Sequence, residues 1–304
     1  MARRPPETRM PVGPSVHDIC GPDSFSASTE GPPITATHLG DTASGWAIPD
    51  AITCVVLHNV LSRSECATIV AAVPSSGEGF MGEADVNRAY RGRLCSRFKS
   101  DDAAMSALVE ARIQEFIPTS VDGGTYLRIN PEWRHVHYRG AVGDSAADGG
   151  SGRRGGRHEF HIDGREPFSP ELLRASPDAV EGTTAKVETF LQSRLTLMVY
   201  LNDGRGVDFE GGATTFLTID EDGELQPRVG GEYDPVAGDC LLFYQESTRL
   251  LDDICVTLLL HQGSVVRRGE KRMMRTVVDY VFEDPKLPFG GAMRCAWNEM
   301  LLRK

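Results

Sequence analysis

His158-Glu159-Phe160-His161-Ile162-Asp163-Gly164 is the stretch around which the rest of the chain falls into order. On an extended strand successive side chains alternate faces, so His161 and Asp163 point one way while Phe160 and Ile162 point the other. An imidazole and a carboxylate then converge on one spot. Such a pair is two thirds of a 2-His-1-carboxylate facial triad, a ligand set that suits non-haem Fe(II) and leaves coordination positions open. A His-x-Asp alone is common by chance, so its weight comes from the sequence on either side.

Downstream, residues 165 to 193 read as an irregular excursion with a short helix opened by Ser169-Pro170-Glu171, placed to form a lid. Strands then return at Leu195–Leu201, Ala213–Ile219, Asp239–Tyr244, Ile254–His261 and Thr276–Phe282, separated by Gly- and Asp-rich turns. Immediately upstream lies a glycine-rich insertion, about residues 140–156, expected to be flexible and exposed; Arg153, Arg154 and Arg157 give it a local positive cluster. Before that, Trp133–Tyr138 reads as a strand with His135 and His137 on one face. This is a competing metal-ligand pair, but no acidic residue follows it closely, which favours a structural or supporting role.

Nearer the start, the β-branched run Ile52–Val60 leads into a helix whose capping box is Ser62-Arg63-Ser64-Glu65 and whose apolar stripe is Ala67, Ile69, Val70 and Val73. A second helix opens at Asp101-Asp102 and carries Met105, Leu108, Val109, Ile113 and Phe116 before Pro118. Both stripes read as core. Short strands following an opening set of helices predict an α+β fold, a double-stranded β-helix (jelly roll) with supporting N-terminal helices. Residues 1–48, rich in Pro, Gly, Ser and Thr, read as a disordered low-complexity tail, 49–283 as the folded domain, and 284–304 as a C-terminal tail with one short helix about Cys295–Leu302.

Composition bounds the partners. With 304 residues, 40% of them hydrophobic, the chain can bury a core without disulfides. The net charge of −11 argues against nucleic acid or an anionic membrane as partner. No apolar run is long enough to span a bilayer, and the arginine-bearing N-terminus lacks the apolar region of a secretory signal. The 7 cysteines are odd in number and widely spaced, which reads as reduced thiols and an intracellular, cytoplasmic or nuclear, location. Oligomeric state is not legible.

The missing triad member belongs on a later strand. His261 follows the apolar run Val256–Leu260 and precedes Gln262-Gly263, so it can project into a barrel mouth. Beyond it Lys271, Met273 and Arg275 share one strand face, which places two cations near the site, and an anionic cosubstrate would satisfy one of them.

Taken together, His161-x-Asp163-Gly164, Leu195–Asn202, Phe209-Glu210-Gly211-Gly212-Ala213-Thr214, Gly238–Phe243, and His261-Gln262-Gly263 through Gly269-Glu270-Lys271 to Arg275 and Tyr280 resemble the Fe(II)/2-oxoglutarate-dependent dioxygenases of the prolyl 4-hydroxylase type. The resemblance covers about residues 52 to 283 and includes the opening Val55–Ser62 with Glu65-Cys66. It implies that His161, Asp163 and His261 hold the iron and form the catalytic centre. Lys271 would pair with the distal carboxylate of 2-oxoglutarate, with Arg275 the alternative partner, Tyr138 a contact of the same carboxylate and Thr214 on the neighbouring strand. The implied reaction is hydroxylation of an unactivated C–H bond with O2, releasing succinate and CO2, with ascorbate a candidate reductant. The implied substrate is a protein side chain such as proline, or a small molecule. A carboxylate at 163, rather than alanine or glycine, implies hydroxylation over halogenation.

Two departures stand out. The glycine-rich insertion lengthens the spacing between Tyr138 and His161, and the family's Gly-Gly-Glu-Thr is Gly-Gly-Ala-Thr at Gly211–Thr214. Rival readings are His158 as a ligand in place of His161, a cupin-type metal protein using His135, His137, His158 and His161 without 2-oxoglutarate, and a non-catalytic binding barrel.

Overall fold

The alternating and continuous apolar runs assemble into two antiparallel sheets, seen in a computed structural model that describes residues 11–21, 24–25, 32–39, 54–90, 92–121, 123–142, 154–161, 163, 190–219, 224–245 and 260–282. The larger sheet has the order β1-β2-β14-β10-β16-β8-β5-β3. Its strands are β1 (Thr35–His38), β2 (Cys54–His58), β3 (Phe80–Met81), β5 (Ser96–Asp101), β8 (Glu132–Arg139), β10 (Phe190–Tyr200), β14 (Cys240–Tyr244) and β16 (Val266–Phe282). At its margins β6 (Ser120–Val121) pairs with β7 (Gly124–Ile129), and β7 and β11 (Phe209–Gly211) pair with β16. The smaller sheet runs β13-β12-β15-β9-β4, comprising β4 (Arg93–Leu94), β9 (Arg157–His161), β12 (Thr214–Ile219), β13 (Leu225–Tyr233) and β15 (His261–Gly263). Four α-helices and one 3-10 turn complete the described elements: α1 (Val16–Cys20), α2 (Arg63–Ala72), α3 (Glu83–Ala89), α4 (Ala103–Ile113) and the turn Gln114–Phe116.

Strand β10 shows why the layers form. Leu195, Leu197 and Val199 face one core with Ile69 of α2 and Met105, Val109 and Ile113 of α4. Met198 and Tyr200, one residue out of phase, face a second core with Val136 and Tyr138 of β8 and Phe216 of β12. The pleat thus packs helices on one face of the large sheet and the small sheet on the other. The capping box of α2 is complete, with the Ser62 hydroxyl accepting from the Glu65 amide and the Glu65 carboxylate accepting from the Ser62 amide at 2.7 Å. Asp102 caps α4 through the Met105 amide.

The structure corrects several sequence expectations. The tail 1–48 is not wholly without order: Val16 of α1 is fully buried, the His17 amide donates to Asp102 at 2.8 Å, and β1 pairs with β2. Every residue of β1 is exposed, so this edge strand rests on backbone pairing and shows no hydrophobic alternation to read. The glycine-rich insertion is pinned at its downstream end, where the Gly156 amide donates to Arg139 and its carbonyl accepts from the Val266 amide. A Cβ on Gly155 would lie 2.2 Å from the Val266 carbonyl oxygen, so that glycine serves close packing rather than looseness. β16 begins at Val266, ten residues before Thr276: Gly269 takes a left-handed φ of 75° yet stays paired, opposite Phe209 of β11. β10 begins at Phe190, inside the expected excursion. The expected lid helix at Ser169, the run Ile254–Leu259 and the helix about Cys295–Leu302 lie outside the described residues. No helix among the described residues is long and apolar enough to cross a membrane.

Candidate metal centre

Antiparallel pairing of β9 with β15 sets His161 directly opposite His261. Opposed residues share a face, so the two rings meet with centroids 4.3 Å apart. Asp163, two residues beyond His161, returns to the same side and is buried. Its carboxylate oxygens lie 3.4 Å from His161 Nε2 and 3.9 Å from His261 Nε2. One donor atom from each of the three residues falls within 4.8 Å of the others, close enough to share one cation. His161 Nδ1 sits 2.8 Å from the Glu159 carbonyl, to which only a protonated Nδ1 can bond. That bond leaves the Nε2 lone pair facing Asp163, the tautomer a metal ligand needs.

Asp163 is held by two neighbours. The Thr196 hydroxyl donates to Oδ2 at 2.8 Å, and Arg275 reaches Oδ1 with Nη1 at 3.3 Å and Oδ2 with Nη2 at 3.2 Å. Burial opposes ionisation, but Arg275 and the neighbouring histidines outweigh it and hold the carboxyl well below its ordinary range. Behind Thr196 the chain of bonds continues: Gln245 Nε2 donates to the Thr196 hydroxyl at 3.1 Å, and the Ser193 hydroxyl donates to Gln245 Oε1 at 2.8 Å. A buried relay of one direction thus ends on the carboxylate.

The same pocket, a tight cavity of about 40 Å³ that opens toward solvent, extends to Lys271. Lys271 lies opposite Tyr138 in the β16–β8 ladder and is 2% exposed. Its ammonium donates to the Gly212 carbonyl at 2.6 Å and lies 5.7 and 5.2 Å from the ring centroids of Tyr138 and Tyr200. Burial lowers it to about 7. Thr214 lines the pocket with its hydroxyl 2.8 Å from that of Tyr200. All seven sequence-derived site residues therefore border one pocket. Tyr200 was legible only as part of an apolar run.

The rival histidines are placed elsewhere or otherwise engaged. Val136 and Tyr138 face the pocket, so His135 and His137 occupy the opposite face of β8. His135 packs against Phe98 and is pushed down to about 3 by burial; His137 lies 3.1 Å from the Glu270 carboxylate. His158 borders the pocket and lies against His161 at 3.5 Å, but its Nε2 accepts from Arg93 Nε at 2.6 Å. Among the described residues His161, Asp163 and His261 form the one group with metal-binding geometry. Sequence reasoning missed Arg93 and Arg97, which also line the pocket.

No family model matches the chain, and no curated protein matches it. Solved structures that it matches include a viral collagen prolyl hydroxylase from Paramecium bursaria Chlorella virus-1 as its 2OG complex, at 16% identity over 74% of this chain and 93% of that one, TM-score 0.39. A prolyl-4-hydroxylase from Pseudomonas putida matches at 14% identity over 73% and 90%, TM-score 0.35. A prolyl hydroxylase from Trichoplax adhaerens, in complex with a peptide fragment of the hypoxia inducible factor oxygen degradation domain, matches at 14% identity over 77% and 84%, TM-score 0.43. At such distances the functional reading rests on the residues of the site.

Proposed function

We propose that this chain is an Fe(II)- and 2-oxoglutarate-dependent dioxygenase on a double-stranded β-helix, hydroxylating an unactivated C–H bond and releasing succinate and CO2. The observation that carries the reading is the convergence of His161, Asp163 and His261, 100 residues apart at the extremes, beside a buried lysine with no carboxylate partner among the described residues. Two neutral imidazoles and one carboxylate are the donor set that suits non-haem Fe(II).

His161, Asp163 and His261 would hold the iron, which with 2-oxoglutarate supplies the activation of dioxygen. Arg275 and Thr196 keep Asp163 ionised and aimed. Lys271 meets the distal carboxylate of 2-oxoglutarate, gaining a charge partner in place of a single carbonyl, and the Tyr138 ring and the Tyr200–Thr214 hydroxyl pair wall that end of the pocket. Val136, Met198 and Met273 form apolar lining that limits water near the reacting carbon. A protein side chain such as proline is the expected target, with a small molecule the second reading, favoured by how deeply the pocket's cations are buried.

The test is release of CO2 from carboxyl-labelled 2-oxoglutarate by purified protein, with succinate measured alongside. Turnover that requires Fe(II) and falls to background in His161→Ala supports the proposal and removes both the cupin-type and the non-catalytic readings. No Fe(II)-dependent decarboxylation in the wild-type protein would end it.

A further inference from the structure

We propose that Arg93 and Arg97 form a carboxylate-binding subsite in this pocket, so that the molecule oxidised carries a carboxylate of its own. The inference deepens the dioxygenase reading and rests on it for the word oxidised.

Arg93, Cys95 and Arg97 alternate along the extended segment that leaves the small sheet in β4 and enters the large sheet in β5, and all three line the pocket. Arg97 is 6% exposed, and both guanidinium carbons lie 5.2 Å from the centroid of the Tyr90 ring. Two like charges are thus held against one ring. Arg93 spends its Nε on His158. Among the described residues neither guanidinium has a carboxylate partner, whereas Arg112 pairs with Glu65, Arg128 with Asp279, Arg134 with Glu132 and Arg275 with Asp163.

The charge count points the same way. Among the described residues four cations, Arg93, Arg97, Lys271 and Arg275, line the pocket against one carboxylate, that of Asp163. A divalent metal and the dianionic 2-oxoglutarate add nothing net, so the excess of positive charge persists in the loaded site. Buried unpaired cations are costly, and the planar guanidinium fork matches a carboxylate with two parallel bonds. An acid group on the substrate would offset that cost at Arg93 and Arg97. The acid is either a free small carboxylic acid or an acidic side chain beside the target residue.

The test uses the full chain with Mn(II) and saturating 2-oxoglutarate under nitrogen, and carboxyl-labelled acetate as the probe. Paramagnetic relaxation of the acetate carbon should be saturable in the wild-type protein, absent with the neutral isostere acetamide, and weakened about tenfold or more in affinity in Arg97→Met. Acetamide matching acetate, or acetate affinity unchanged in a folded Arg97→Met, overturns the proposal. The acetamide comparison needs no variant and can overturn the proposal even if Arg97→Met fails to fold; support then comes from acetate-induced shifts of the arginine Nε–H signals in the metal-free protein, where no metal can take up the carboxylate. Should Mn(II) or 2-oxoglutarate not bind, the dioxygenase reading fails separately, and acetate-induced shifts of the arginine Nε–H signals in the metal-free protein still test the subsite. Oxidation products gaining one oxygen then separate the sources: free amino acids as substrates identify a free acid, and Glu-flanked but not Gln-flanked blocked proline peptides identify an acidic side chain. Equal turnover of Glu- and Gln-flanked peptides overturns the subsite.

Discussion

Thr196→Val tests the site through a residue that touches no substrate. The hydroxyl of Thr196 stands between Gln245 and Asp163, accepting from one at 3.1 Å and donating to the other at 2.8 Å, all within buried structure. Valine keeps the shape and removes both bonds. A hydrogen bond to a charged group contributes about 1.5–3 kcal/mol, and loss of a partner that orients a metal ligand lowers metal affinity about 10–100-fold. Arg275 still holds the carboxylate in Thr196→Val, so the expected loss in Mn(II) affinity is near the lower end, about tenfold. The Gln245 amide, left without its acceptor, adds a stability cost of about 1–3 kcal/mol. Mn(II) titration followed by electron paramagnetic resonance, with denaturant unfolding of the same samples, reads both effects. Thr196→Ser, which restores the hydroxyl, should recover most of the affinity. If Thr196→Val folds and binds Mn(II) within a factor of two of the wild-type protein, the relay does not position Asp163 and the reasoning fails.

Other expectations follow from buried charges and tight backbone. Lys271 is lowered to about 7 by burial against an unfolded value of about 10.4, so between those values the unfolded chain binds more protons and stability rises with pH; Lys271→Met should flatten that slope in denaturant titrations of cosubstrate-free protein. If Lys271 pairs with 2-oxoglutarate as proposed, binding above about pH 7 should take up a proton, seen as a buffer-dependent heat in titration calorimetry. Arg112→Met strands the buried Glu65 carboxylate, which Arg112 meets at 2.7 Å, and should cost about 3–5 kcal/mol, with much of the loss relieved by adding Glu65→Gln. In the wild-type protein burial resists Glu65 ionisation but Arg112 and the Ser62 amide outweigh it, so this stabilisation is present above the ordinary glutamate range and is lost as pH falls through the lowered value. Gly269→Ala, at φ 75° with its Cβ 2.0 Å from the Asp208 carbonyl oxygen, should destabilise by about 1–3 kcal/mol or more and weaken 2-oxoglutarate binding by shifting Lys271 two residues on.

Much of this was legible in the chain because the signals were local. The Ser62–Glu65 box marked the start of α2, Asp102 that of α4, and the apolar run Leu195–Leu201 read as a strand, which the structure buries on both faces. The His161–Asp163 spacing was readable from strand parity alone, and the end of the apolar run Val256–Leu260 made His261 a candidate, but its pairing with His161, 100 positions away, is a tertiary contact that no local pattern displays. What stayed hidden depends on tertiary context. β1 has no buried side chain to mark it, α1 is a single turn tethered by Asp102, and β16 runs unbroken through Gly269, whose conformation in sequence reads as a turn. Arg93 and Arg97 drew no attention in sequence because their significance is a missing carboxylate partner, which no sequence pattern displays.

Which cation meets the distal carboxylate was open between Lys271 and Arg275, and the contacts favour Lys271. Both terminal nitrogens of Arg275 are spent on Asp163, at 3.3 and 3.2 Å. Turning that fork toward a cosubstrate would leave a 4% exposed carboxylate with only Thr196 and the metal to offset its burial, a loss at the ligand that must stay ionised. Lys271 carries no such obligation. Its bond is to a neutral carbonyl, and its burial is unfavourable until an anion arrives, so cosubstrate binding relieves a cost already present in the folded chain. On the proposed reading the two cations on one face of β16 divide the work by what they already touch: Arg275 would position a metal ligand, and Lys271 would take the anion. Arg275→Lys should then weaken Mn(II) binding more than 2-oxoglutarate binding, and Lys271→Met the reverse; the opposite pattern would exchange their roles.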